Sequence, residues 1–129
     1  MLKLLLISNN IDSFTEFSSA LKENDKNEVL YAETGETALK IIKDNAIDLV
    51  IIDEEIEDMS GLDFAKRLIS FSPMTNCAAV SSLSEKDFHE ASEGLGLMNH
   101  LPANPGRSDA EILLNTLRRI KGLESGQDE

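Results

Sequence analysis

The chain has 129 residues, 41% hydrophobic and 28% charged, and its 24 acidic against 12 basic residues give a formal net charge of −12. That length suits one domain with a real core, and the apolar content argues against a disordered chain. A surface this acidic repels phosphate backbones and anionic lipid, so nucleic-acid and membrane partners are not expected, and basic partners or cations are favoured. The single cysteine, Cys77, cannot form an internal disulfide and sits among apolar residues, as an inert buried thiol would. The apolar stretch Leu2 to Ile7 is too short for a signal or a membrane span and runs into Ser8-Asn9-Asn10, so a cytoplasmic location is expected.

Lys3 to Ile7 is a continuous apolar run and reads as the first, central strand. A helix follows with Phe14, Phe17 and Leu21 on one face and Ser13 with Glu16 as a capping box. Asn24 to Asn27 makes a polar break before a second strand, Glu28 to Ala32, and Thr34 caps a helix that turns Ala38, Ile41 and Ile42 inward. Leu49 to Ile52, four branched aliphatics without alternation, suits a third strand covered on both faces in a parallel sheet. It stops at Asp53, and an acidic segment then leads through Ser60-Gly61 into a helical pattern of Leu62, Ala65, Leu68 and Ile69.

Ser72-Pro73 breaks that helix. Cys77 to Val80 is a weak fourth strand ending at Ser81-Ser82, and Ser84 with Asp87 opens a helix bearing Phe88, Ala91 and Leu95. Leu97 to Leu101 reads as a short fifth strand, and Pro102 to Gly106 cannot be helical throughout. Ser108 with Glu111 forms a capping box for a last helix carrying Leu113, Leu114, Leu117 and Ile120. Residues 1–121 make the domain, and 122–129, with no apolar anchor, read as a fraying tail or a linker stub.

Five strands alternating with five helices imply right-handed βαβ crossovers and an α/β fold with helices on both faces of a parallel sheet. In such sheets ligands bind in the crevice beyond the carboxyl ends of the strands. The strands deliver Ser8 and Asn9, Asp53, Ser81 and Ala103 to that edge, and Asn9 and Asp53 would face each other if the first and third strands are neighbours. Asp53 is the first residue to suspect, against the plainer reading of a solvated or helix-capping acid.

Three motifs carry a resemblance. Asp48-Leu49-Val50-Ile51-Ile52-Asp53 with Met59-Ser60-Gly61-Leu62, Asn76 to Ser82, and Gly96 to Asn104 fall in register with the pattern of a response-regulator receiver domain of bacterial two-component signalling, which the chain resembles from Lys3 to about Ile120. The resemblance implies a flavodoxin-like, doubly wound sheet of five parallel strands in the order 2-1-3-4-5. It implies that Asp53 stands at the phospho-acceptor position, Ser81 at the phosphoryl-binding hydroxyl and His100 at the aromatic switch position. It also exposes departures. Ser8 and Asn9 stand where the family has the acidic pair that holds Mg²⁺, Ala103 stands where its lysine should be, and Glu57 replaces the usual proline.

Phosphoryl transfer to a carboxylate brings two anions together, so cations do much of the catalysis. Asn9, Asp53 and the Glu55 carbonyl would be the remaining Mg²⁺ ligands, and affinity should be weak because hard cations prefer ionised carboxylates. Losing one preorganised charge-stabilising donor costs ~3–4 kcal/mol of barrier, and losing metal and lysine together should slow acceptance more than about a thousandfold. The expectation is a degenerate receiver with weak or absent phosphorylation, acting on a protein partner, a sensor histidine kinase or an output protein, through its last two helices and fifth strand. A homodimer is a further candidate assembly.

The alternative is a conventional acceptor in which Glu54, Glu55 or Asp58 replaces the missing ligands. An enzyme is not expected, because no glycine-rich phosphate loop follows the first strand and no nucleophile–base pair is spaced for catalysis. His100 also reads as a structural residue and His89 as a surface one, while the acidic run at 53–58 lacks the ligand spacing of a Ca²⁺ loop and most of its charges should be solvated.

Overall fold

The computed structural model describes residues 2–23 and 26–122; part of the polar break and all but Gly122 of the expected tail lie outside them. The strands are β1 (Lys3–Ile7), β2 (Glu28–Ala32), β3 (Leu49–Ile52), β4 (Asn76–Val80) and β5 (Asn99–Leu101). Between and after them run α1 (Thr15–Lys22), α2 (Gly35–Asp44), α3 (Gly61–Phe71), α4 (Glu85–Ala91) and α5 (Arg107–Ile120). All strand pairs are parallel, in the order β2-β1-β3-β4-β5, the flavodoxin-like arrangement expected.

The absence of alternation in the central strands has its cause in two cores. Side chains alternate across a strand, so Leu4, Leu6, Leu49 and Ile51 pack with Phe14, Phe17, Leu113 and Leu117 under α1 and α5. Leu5, Ile7, Val50 and Ile52 pack with Ala38, Phe64, Leu68 and Phe88 under α2, α3 and α4. Leu49 to Ile52 are all 0% exposed, as a doubly covered strand requires. Cys77 lies in the second core, where burial alone pushes its thiol up to about 12.

Several local expectations are corrected. Ser13 and Glu16 form no capping box: a 3₁₀ turn, Ile11–Phe14, leads into α1, and the Ser13 hydroxyl donates to the Asn10 carbonyl instead. α5 starts one residue before Ser108, with Gly106 at the N-cap and the Asp109 carboxylate accepting the Gly106 N–H at 2.8 Å. The fourth helix ends at Ala91, which is exposed, so Leu95 lies beyond it; Gly94 and Gly96, at φ +84° and +67°, take backbone positions that suit glycine. β5 is confined to Asn99–Leu101, shorter than the expected 97–101. Ile69 and Ile120 face outward. The caps at Thr34 and Ser84 are present, each accepting one of the four backbone N–H groups that a helix start leaves open, from Thr37 at 3.0 Å and Asp87 at 3.1 Å.

Asp48 ties three elements together at the opposite end of the sheet. Its carboxylate accepts the Lys3 N–H at 2.8 Å and pairs with Lys121, just past α5, at 3.0 Å. Burial disfavours its charged form, but these two partners outweigh that and hold its pKa below the ordinary carboxylate value. A depressed pKa gives stability that is present above the unfolded-state value and is lost as pH falls through the folded one. We expect Asp48→Asn to cost roughly 1–2 kcal/mol at neutral pH and progressively less below about pH 4. Urea midpoints at pH 7 and pH 3 check this; an equal loss at both would refute the linkage.

Candidate functional site

The strand order makes β1 and β3 neighbours and β3 and β4 neighbours, so Ser8, Asp53 and Ser81 leave the sheet side by side. The Asp53 N–H donates to the Ile7 carbonyl at 2.9 Å, which continues the β1–β3 ladder by one residue and fixes the acceptor's backbone. The Ser8 hydroxyl donates to Asp53 Oδ2 at 2.7 Å, and the Glu54 N–H donates to Oδ1 at 2.8 Å. Both carboxylate oxygens of Asp53 are therefore held by the chain itself. Ser8 is 0% exposed and its Oγ also accepts the Asn10 N–H at 2.9 Å, which fixes the hydroxyl's direction.

Of the two residues that follow β1, Ser8 is the one bonded to Asp53; it is buried, while Asn9 lies at a bend and is exposed.

Glu54, expected at most as a substitute cation ligand, instead bridges from the end of β3 to the turn after β4. Its Oε2 accepts the Ser82 N–H at 3.0 Å, the Ser82 hydroxyl at 3.0 Å and, at 3.5 Å, the Ser81 hydroxyl. The buried Ser81 Oγ in turn accepts the Leu83 N–H at 3.1 Å. The Ser81 carbonyl accepts from His100 Nε2 at 3.0 Å, which assigns the ring proton to Nε2. The His100 ring stacks on Phe88 of α4 with centroids 4.0 Å apart and planes 9° from parallel. A chain of contacts thus runs from the end of β3 through the β4 turn to β5 and α4.

Ser81, His100 and Ala103 border one hollow on this edge, together with Ser82, Glu85 and Pro102, and among the described residues no Lys or Arg lines it. Ala103 is exposed, and Asn104 beside it sits at φ +54°, a left-handed position that asparagine tolerates.

Most of the charges in the acidic segment 53–58 are exposed, as expected, yet the loop is tied down. Ile56 is buried and anchors it, and Glu55 forms a backbone bridge with Ser60. Asp58 accepts the Gly35 N–H at 2.8 Å and the Glu36 N–H at 3.4 Å, at the start of α2. The Gly35 bond is the main reason the Asp58 carboxyl titrates below its ordinary value. Glu55 and Glu57 remain exposed.

Mg²⁺ demands several oxygen ligands in near-octahedral order, preferably ionised. Here Asn9 is neutral, Asp53 is bonded by Ser8 and the Glu54 amide, the Glu54 carboxylate binds Ser82, and the Asp58 carboxylate binds the start of α2. Among the described residues no group of three or more His, Cys, Asp or Glu is arranged to hold a metal. The donor set does not fit the family's cation.

Set beside known proteins, the family model described as "response regulator receiver domain" matches residues 4–107. The chain belongs to this family. The receiver is also 32% identical over 93 residues to the Autoinducer 1 sensor kinase/phosphatase LuxN of Vibrio campbellii and of Vibrio harveyi, an overlap of 72% of this chain but 10% of LuxN. It therefore spans a small part of the length of these curated relatives.

Solved structures agree on the fold. The Francisella response regulator 1452 receiver domain superposes with a TM-score of 0.81 at 20% identity, covering 94% of this chain and 99% of that one. A two-component response regulator from Clostridium difficile gives 0.79 at 17%, over 92% and 97% of the two chains. A CheY-like receiver protein from Methanospirillum hungatei gives 0.79 at 17%, over 95% and 98%. Receiver domains work with sensor kinases and output domains in two-component systems, and this chain is such a domain. None of its described helices is long and apolar enough to cross a membrane.

Proposed function

We propose that this receiver signals by protein–protein contact, with phosphorylation of Asp53 weak or absent. One observation carries the reading: the donors that would receive an anion on Asp53 are already bonded to the Glu54 carboxylate. An incoming phosphoryl group would have to displace that carboxylate, and it would meet no cation there, since Ala103 stands at the lysine position and Asn9 at the metal-ligand position. Charge stabilisation of the transferring oxygens is the main source of rate in such chemistry, and here it is missing.

The partner surface we assign is α4, β5 and α5, from Phe88 to Leu101 and from Ser108 to Ile120. What supports it is the contact chain from Glu54 through Ser81 and His100 to Phe88, which couples the site's edge to α4 and β5 without any modification of Asp53. The similarity to a segment of LuxN, a sensor kinase/phosphatase by name, supports a partner of the kinase or output type. The reading assigns no enzymatic turnover to the domain. A conventional acceptor using substitute acids is disfavoured, because two of the three candidates, Glu54 and Asp58, are bonded elsewhere.

Incubating the protein with acetyl phosphate and Mg²⁺ and weighing it intact is expected to leave the chain predominantly unmodified. Near-complete addition of one phosphoryl group, abolished by Asp53→Ala, would overturn the proposal.

A further inference from the structure

Carboxylates outnumber cations two to one on this chain, 24 against 12. A Lys or Arg that finds no acid is therefore the informative case. Lys3 pairs with Glu28, Arg107 with Glu23, Lys121 with Asp48, and Lys66 reaches Asp63 at 4.0 Å. Lys22 lies over the Tyr31 ring, and Lys26 and Arg119 also have partners. Lys40, Lys43, Arg67, Lys86 and Arg118 make no ion pair among the described residues. Three of these five, Lys40, Lys43 and Arg67, meet along one groove between α2 and α3.

The floor of that groove is apolar. Leu39 and Met59 are half-buried in it, and Phe71, at the end of α3, is 47% exposed. The hollow holds about 480 Å³ and continues into a second one that shares Leu39, Arg67 and Phe71 and adds Lys66. Glu36 and Asp58 also border it; the Asp58 carboxylate accepts backbone N–H groups at the start of α2 and feels the charge of Arg67, which leaves Lys40 and Lys43 as the groove's cations with no acid partner among the described residues. A large exposed aromatic beside three cations, two of them without an acid partner among the described residues, on an otherwise acidic molecule, matches a ligand that offers carboxylates around an apolar anchor.

We propose that the α2–α3 groove docks an acidic, amphipathic segment of a partner protein. An aliphatic or aromatic side chain of that segment lies against Leu39 and Phe71, and its carboxylates pair with Lys40, Lys43 and Arg67. This surface is separate from the α4–β5–α5 face and does not depend on whether Asp53 is modified. The rest of the chain repels acidic polymers, so the segment is short and register-specific rather than a long polyanion.

The test uses the full chain, ¹⁵N-labelled, and a synthetic 14-residue peptide of Asp and Glu with Leu and Phe at helical spacing, at near-physiological salt. There the Debye length of about 8 Å confines charge effects to the groove. Saturable shifts of the Leu39, Lys40, Lys43, Arg67 and Phe71 amides are expected. Affinity should fall at least about tenfold in Lys40→Glu/Arg67→Glu and in Phe71→Ser, and be unchanged in Lys86→Glu on α4. Circular dichroism and thermal melts of the variants verify folding.

Shifts centred elsewhere, or no saturable shifts, would overturn the proposal. So would equal binding by the same peptide with Ser in place of Leu and Phe. If the groove amides shift with protein concentration alone and Lys40→Glu abolishes this, a second copy is the occupant and the proposal fails.

Discussion

In the Asn9→Asp/Ala103→Lys double variant, Asp53 is expected to accept phosphoryl groups from acetyl phosphate with Mg²⁺ about a hundred- to a thousandfold faster than in the native chain. Asn9 and Ala103 are both exposed, so neither change disturbs the core. Asp at position 9 supplies the ionised oxygen that a hard cation prefers, and Lys at 103 brings a cation to the hollow that Ser81 and His100 border. Restoring one charge-stabilising donor is worth ~3–4 kcal/mol of barrier, and the two do not add in full. Intact-mass time courses of native and variant protein measure the rate ratio. A ratio near one would show that the missing cations are not what disables the site. The triple variant that adds Glu54→Ala then isolates the remaining obstacle, the carboxylate bonded to Ser81 and Ser82.

Gly61→Ala is expected to destabilise the fold by about 3 kcal/mol. A Cβ at position 61 would stand 2.3 Å from the Asp53 carbonyl oxygen and 3.4 Å from that of Glu54. Both obstacles are backbone, so no side chain can swing aside. The Gly61 N–H also donates to the Glu54 carbonyl at 2.8 Å, which pins the start of α3 against the residues that carry the site. The strain should be read twice: as a lowered urea midpoint at unchanged slope, and as shifted amide resonances of Asp53 and Glu54. A loss below about 1 kcal/mol would mean that α3 moves away easily and that its approach does not set the acceptor's position.

The sheet was legible because its cause is local. Leu49 to Ile52 lacks alternation since both faces are covered, and that reads directly from composition. Asp53 was legible by position, as the residue where the run stops. The bonds that Glu54 and Asp58 make were not, because their partners lie far along the chain: Ser82 is 28 residues from Glu54, and Gly35 is 23 from Asp58. Nothing in the acidic run distinguishes these two from Glu55 and Glu57, which face solvent. The start of α5 failed differently. Ser108 with Glu111 and Gly106 with Asp109 both have capping spacing, and the backbone chose the second, which a pattern alone could not decide. At the first strand's end the two candidates are adjacent, and only the folded chain shows that Ser8 bonds Asp53.

Cys77 gives the molecule an intrinsic clock. Its sulfur is buried between the sheet and the helices that cover it, and with a thiol pushed up to about 12 it carries almost no reactive thiolate at neutral pH. Cys77 also lines a hollow between α3 and the turn that follows α4, so the rate at which alkylating reagents consume it reports how that hollow opens beside the strand that ends at Ser81. Any event that tightens or loosens that strand becomes visible as a change in tempo, with no label introduced.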